Sequence, residues 1–191
     1  MTLTYTFAKG CAVHVSCSAD IADYATTLPR FGFKFVLPEG FEDVTYFGYG
    51  PYESYEDKRL ASRLSLFKTT ATENFEPYVK PQENSAHYGC KLATVTSVVG
   101  HGMLFYSDKF SLSVSHFSPE QLTTIRHNYE LHPERETTVI IDYRNAGIGS
   151  HSCGPELLPE YRISEKKINF EFDFSPEFTG NINLFNKYTK M

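Results

Sequence analysis

Ala12-Val13-His14-Val15-Ser16-Cys17 places Val13, Val15 and Cys17 on one side of an extended chain and Ala12, His14 and Ser16 on the other. Such strict alternation is the signature of a strand with one buried face. The same period of two recurs at Phe31 to Val36, Val44 to Tyr49, Leu92 to Val98, Met103 to Tyr106, Leu112 to Phe117, Thr138 to Tyr143 and Ile168 to Phe174. Eight short strands separated by turn residues predict an all-β sandwich. Leu37-Pro38-Glu39-Gly40, Gly48 to Pro51, Gly100-His101-Gly102 and Gly147 to Gly149 supply the turns.

One helix interrupts the pattern. Ser118-Pro119-Glu120-Gln121 sets Ser at the cap, Pro at the first helical position and Gln at the third, the arrangement of a capping box. This helix is expected to run to about His127. Residues 69–85 are polar and contain Pro77 and Pro81, which predicts a long connection or arm. Beyond Phe174 the alternation is lost, so residues 175–191 read as a peripheral tail.

Composition narrows the function. The 191 residues include 13 Tyr and 16 Phe but no Trp, an aromatic content suited to a pleated, half-buried surface. A net charge of −5 without a block of like charges argues against nucleic-acid and membrane partners. No apolar run is long enough to span a bilayer, and the first 17 residues lack the apolar core of a signal peptide, so a cytoplasmic location is expected. Cys11, Cys17, Cys90 and Cys153 form no C-x-x-C pair. Cys11 and Cys17 on one strand would stand about 20 Å apart, too far for a disulfide. Reduced thiols are therefore expected, and no zinc or other metal site. The seven His form no helical ligand pair. His14 and His116 are read as hydrogen-bonded structural residues.

Two segments are denser in special residues than a plain sandwich requires. In Gly48 to Arg59, Gly50 and Pro51 precede Glu53, Tyr55, Asp57, Lys58 and Arg59. Acid and base side chains at this density fit general acid–base chemistry, but the adjoining cations favour a structural ion-pair and hydrogen-bond cluster. The second, Asp142 to Pro155, leaves a strong strand as a loop of small and polar residues, the kind of surface element that carries ligand contacts. Cys153 within it has no base at sequence level.

At these segments the sequence resembles the C-terminal domain of the family 2 β-galactosidases, which some bacteria encode as a separate small chain. Gly48 to Arg59 is similar to the family's G-x-G-P-x-E-N-Y-x-D-R, with Ser54 for Asn and Lys58 for Arg. Pro77-Tyr78-Val79-Lys80-Pro81-Gln82-Glu83-Asn84 is similar to P-Y-x-x-P-Q-E-N. Phe110 to Leu122, with His127 and Leu131, resembles F-x-x-S-x-S-x-(Y/F)-S-x-x-x-L and the H-x-x-x-L after it. Asp142 to Pro155 resembles D-x-x-x-x-G-(I/V)-G with its following S-(W/C)-(S/G)-P.

The resemblance implies an antiparallel supersandwich of the galactose mutarotase type, with residues 1–27 as leading strands, 28–174 as the matched domain and 175–191 as the tail. It further implies a place beside a catalytic (β/α)8 barrel and a β-galactoside at a shared site, with His151, Ser152 and Cys153 as candidates for its rim. Cys153 stands where the family carries a sugar-stacking Trp. The catalytic Glu pair and the family's Mg and Na sites would lie in other domains, leaving this chain with no catalytic residue and no cofactor. It would then be inactive alone and an excised or truncated piece of the enzyme. The alternative is a stand-alone sandwich that binds carbohydrate without chemistry. A mutarotase-like epimerase needs a His and a carboxylate facing one sugar, a pairing the sequence does not present.

Overall fold

The computed structural model describes residues 1–7, 12–150 and 154–177. Among them nine strands form: β1 (Thr2–Phe7), β2 (Val13–Asp20), β3 (Arg30–Leu37), β4 (Phe41–Gly50), β5 (Arg63–Thr70), β6 (Ala86–Ser97), β7 (Gly102–Ser115), β8 (Thr137–Asn145) and β9 (Lys167–Glu177). Every pairing is antiparallel.

The longest strand, β7, organises the rest. Along one edge it pairs with β6, and β4 and β5 follow. Along the other edge its first half pairs with β9, from Gly102↔Glu177 to Tyr106↔Asp173, and its second half with β8, from Ser111↔Asp142 to Ser115↔Thr138. The sheet therefore forks at residues 107–110. One leaf continues β9-β2-β1, the other β8-β3.

The fork folds one leaf over the other and buries the Phe-rich faces between them. Phe33 of β3 packs 5.1 Å from Phe172 of β9 with its ring tilted 55° to it, while Phe35 lies 5.1 Å from Phe105 and 5.6 Å from Phe174. Val15, Val44, Val95, Phe110, Leu112, Val139 and Ile141 complete this core, so the alternation seen in sequence is the core-facing row of each strand. The fold is an all-β antiparallel sandwich.

Several local expectations are corrected. β5 was not among the expected strands: Leu64 and Leu66 face outward and are exposed while Phe67 packs inward, which blurs its alternation. The two strands expected at Met103 to Tyr106 and Leu112 to Phe117 are one, β7, joined through the exposed Asp108-Lys109 at the fork. Gly48-Tyr49-Gly50 is not turn but the end of β4. Glycine is required there because a Cβ on Gly48 would strike Cys90 Sγ and one on Gly50 the Tyr46 hydroxyl. The chain turns only at Pro51, after a cis Gly50-Pro51 bond.

Helix α1 (Pro119–Thr124) is capped by Ser118, whose Oγ accepts from the Gln121 N–H at 3.4 Å. Gln121 does not return to the cap but donates to His132 O, so half of the capping box forms. Ile125 takes extended backbone, ending the helix three residues before His127. β9 runs to Glu177, with Ser175 and Glu177 buried, so the chain is still core strand where the tail was expected to begin. The rest of that expected tail, residues 178–191, lies outside the described residues.

Residues 71–85 contain neither strand nor helix, yet they are no free arm. Asn74 donates through Nδ2 to Ser85 O and Val114 O, and its Oδ1 accepts from His87 Nε2–H at 2.7 Å. Ala71, Asn84 and Ser85 are buried. The polarity of this segment is turned inward, against the body.

Candidate functional site

The turn after β4 is drawn tight by paired backbone bonds, Tyr55 N–H to Lys58 O (2.9 Å) and Lys58 N–H to Tyr55 O (3.0 Å). It sets Glu56 and Asp57 at its tip, facing the loop after β8. Beneath it, Ser54 Oγ donates to Tyr49 O and accepts from the Tyr88 N–H, each at 2.9 Å. Tyr55 is buried, and burial pushes its hydroxyl well above the ordinary phenol value.

Glu53 binds this turn to the segment from 77 to 85. Its Oε1 accepts from Lys58 Nζ and from the Tyr78 hydroxyl, and its Oε2 accepts from the Ser85 N–H at 3.0 Å. Ser85 sits at φ +67° to present that N–H. Partial burial works against the Lys58 ammonium, but Glu53 and Tyr78 outweigh it and raise its pKa.

A second cluster forms where β3 meets β8. Arg30 Nη2 lies 2.5 Å from Asp142 Oδ2 and its Nη1 2.7 Å from Glu83 Oε2. Asn145 donates to the other Glu83 oxygen at 3.5 Å. Burial raises the Asp142 carboxyl to about 6 against the pull of Arg30, and raises Glu83 as well. One guanidinium shared by the buried Asp142 and the half-buried Glu83 compensates neither fully. Gly32 lies opposite Asp142 at a bulge, where a Cβ would strike the carboxylate.

The loop that leaves β8 is tied to both clusters. Arg144 donates to Glu56 Oε2 through Nε (3.0 Å) and Nη2 (2.8 Å), and to Glu165 Oε1 at 2.7 Å. Asp57 Oδ2 accepts from the Gly149 N–H at 2.8 Å and from Ser150 Oγ at 3.2 Å. Gly147 adopts φ +86°, and a Cβ there would strike the Asp57 carboxylate. Only glycine permits that approach. Open clefts of about 460 and 450 Å³ flank Asp57, one lined by Leu28, Gly147, Ser150 and Arg162, the other by Tyr52, Lys58, Leu60 and Tyr78.

Residues 1–175 match the family of the beta galactosidase small chain. The chain belongs to that family. It is similar to the β-galactosidase of Staphylococcus xylosus, 39% identical over 181 residues that make up 90% of this chain and 17% of that protein. The Actinobacillus pleuropneumoniae β-galactosidase is 42% identical over 146 residues, 76% of this chain and 14% of that protein. The Streptococcus thermophilus enzyme is 32% identical over 139 residues, 71% and 14%. The small-chain segment thus spans about 14–17% of the length of these relatives.

In this small-chain domain, three of the four motif blocks quoted above converge on one face: the turn with Glu53, Asp57 and Lys58, the segment with Tyr78 and Glu83, and the loop after Asp142. The fourth block, residues 110–122, contributes Phe110, Leu112 and Val114 to the core instead. Of the turn residues singled out in the sequence, Glu53 and Lys58 form an ion pair, Tyr55 and Asp57 accept N–H groups, and Gly50 and Pro51 make the cis bond that starts the turn. Arg59 donates to Glu56 O and lies over the Tyr88 ring at 4.9 Å. His151, Ser152 and Cys153, the candidates for the rim, lie outside the described residues; the limb that leads to them, through Ser150, is held by Asp57.

Arg30 escaped the sequence reading because nothing local marks it. Its partners are 53 and 112 residues away. His14 bonds Asp173 at 3.1 Å and His116 bonds Glu42 at 2.5 Å, the structural roles expected of them. Cys17 and Cys90 are free and buried, and burial pushes both thiols up, away from the reactive thiolate. Chemically, the cluster is a clamp: its carboxylates are committed to cations and N–H groups that fix a loop.

Proposed function

We propose that this small-chain domain works as part of a retaining β-galactosidase on terminal, non-reducing β-D-galactosides such as lactose, and that the loop clamped by Asp57 carries His151, Ser152 and Cys153 to the rim of the active site. The observation that carries the reading is the convergence of three family blocks at the base of that loop. A surface loop fixed at its base by partly buried ion pairs and hydrogen bonds is the device by which a scaffold presents ligand-binding residues.

His151 and Ser152 offer hydrogen bonds suited to sugar hydroxyls, and Cys153 a small apolar filler in place of a stacking ring. Retaining glycosidases need two carboxyls about 5–5.5 Å apart. The proposal assigns that pair to the remaining β-galactosidase polypeptide, whose barrel and other domains are the partner. The proposal assigns the family's Mg and Na sites to that remaining polypeptide as well. The setting is cytoplasmic.

Purified alone, the chain is expected to leave a chromogenic galactoside intact. Mixed with the S. xylosus enzyme from which the matching segment has been deleted, it is expected to restore turnover, and His151→Ala to raise KM or lower kcat several-fold, the loss of about one hydrogen bond. Turnover by the chain alone, at a rate proportional to its concentration, contradicts this assignment.

A further inference from the structure

The two leaves of the sandwich differ in width. On the wider one, Leu3, Tyr5 and Phe7 of β1 pair with Cys17, Val15 and Val13 of β2, so all six side chains share the core-facing side. Cys17 and Val15 are each 1% exposed, whereas Leu3, Tyr5 and Phe7 are 36%, 51% and 80% exposed. The cause lies in the opposite leaf. Its last strand, β3, covers Phe170, Phe172 and Phe174, and among the described residues it pairs with β8 alone. Among the described residues no strand continues that leaf over β1.

Two open features therefore stand side by side: a strand edge of eight residues, Arg30–Leu37, with no strand paired to it among the described residues, and an apolar row one layer beneath, about 10 Å below the plane of that edge. We infer that the free edge of β3 receives a further β-strand with an apolar inner face, supplied by the β-galactosidase polypeptide that accompanies this segment in its relatives, and that this strand closes over Leu3, Tyr5 and Phe7. The inference rests on the functional reading above. The relatives carry more than four-fifths of their length outside the matched segment, which provides the chain for such a strand. Main-chain pairing supplies its affinity and the apolar row its register. A second copy paired edge to edge through β1 would widen the lower leaf and leave the row as exposed as before.

The test mixes the chain with the S. xylosus β-galactosidase lacking its matching segment and follows complex formation and amide exchange. Leu3→Asp, Tyr5→Lys and Phe7→Lys together are expected to weaken assembly at least tenfold while moving the melting temperature of the isolated chain by only a few degrees. Val98→Asp with Val99→Asp, exposed residues on the β6–β7 turn, is expected to leave assembly unchanged. Exchange in β1 and β3 is expected to slow in the complex. A triple variant that assembles as well as the unsubstituted chain, or exchange in β3 that is the same free and bound, overturns this inference and leaves the β-galactosidase assignment standing. An unsubstituted chain that forms no complex overturns both.

Discussion

Arg30 and Asp142, 112 residues apart in sequence, meet through Nη2 and Oδ2 at 2.5 Å, and the same guanidinium reaches Glu83 at 2.7 Å. The contact joins β3, β8 and the segment preceding β6, so the sandwich and the loop base share one cation.

Removing that cation leaves Asp142 buried, and Glu83 half-buried, without their counter-charge. Arg30→Ala is expected to cost about 3–5 kcal/mol in urea unfolding. Arg30→Lys keeps the charge but loses the fork that reaches both carboxylates, and is expected to fall between the two. A loss below about 1 kcal/mol in Arg30→Ala would show that the cluster does not hold the leaves together.

The raised Asp142 carboxyl gives a definite pH dependence. Its folded-state value of about 6 lies above an unfolded value of about 3.9, so between these limits the folded chain holds the proton and the unfolded chain has released it. The stability from this group is complete below about pH 4 and is lost as the pH rises through about 6. Glu42, whose pKa is lowered because hydrogen bonds from Thr72 and His116 outweigh its burial, acts in the opposite sense at lower pH. Asp142→Asn is therefore expected to flatten the decline between pH 4.5 and 6.5 in denaturant titrations. An unaltered slope refutes the assignment.

Asp57 is expected to govern the loop after β8 through its acceptor oxygen rather than its charge. Asp57→Ala removes the acceptor for Gly149 and Ser150 and should speed amide exchange at Gly149 roughly tenfold, corresponding to about 1 kcal/mol. Asp57→Asn, which retains a carbonyl oxygen, should restore most of the protection. Equal exchange in all three chains would release the loop from Asp57.

The fork depends on aromatic packing across it. Phe172, 1% exposed, meets Phe33, Phe35, Phe170 and Phe174. Phe172→Ala is expected to cost about 3–5 kcal/mol and to lower the melting temperature by on the order of 10 °C. Calorimetry checks both. A shift of a degree or two would place the stabilising contacts elsewhere.

What the sequence determined by itself was everything carried by short-range periodicity. Val13, Val15 and Cys17 announce the buried face of β2, and Phe31 to Val36 that of β3, because side chains two apart share a face whatever the partner strand is. Ser118 and Pro119 announce a helix start for an equally local reason, the N–H groups left over at its first turn. The Glu53–Lys58 pair lies within Gly48 to Arg59, but Glu56 pairs with Arg144, 88 residues away, and the adjacent Asp57, Lys58 and Arg59 do not pair with one another. Only the tertiary structure decided how the strands pair. It divided β7 between two partners, turned the polar segment around Asn74 inward, and made Gly48 and Gly50 strand residues by setting Cys90 and Tyr46 against them. It alone brought Arg30 to Asp142 and Asp57 to Gly149, contacts that depend on long-range register, which no local pattern encodes.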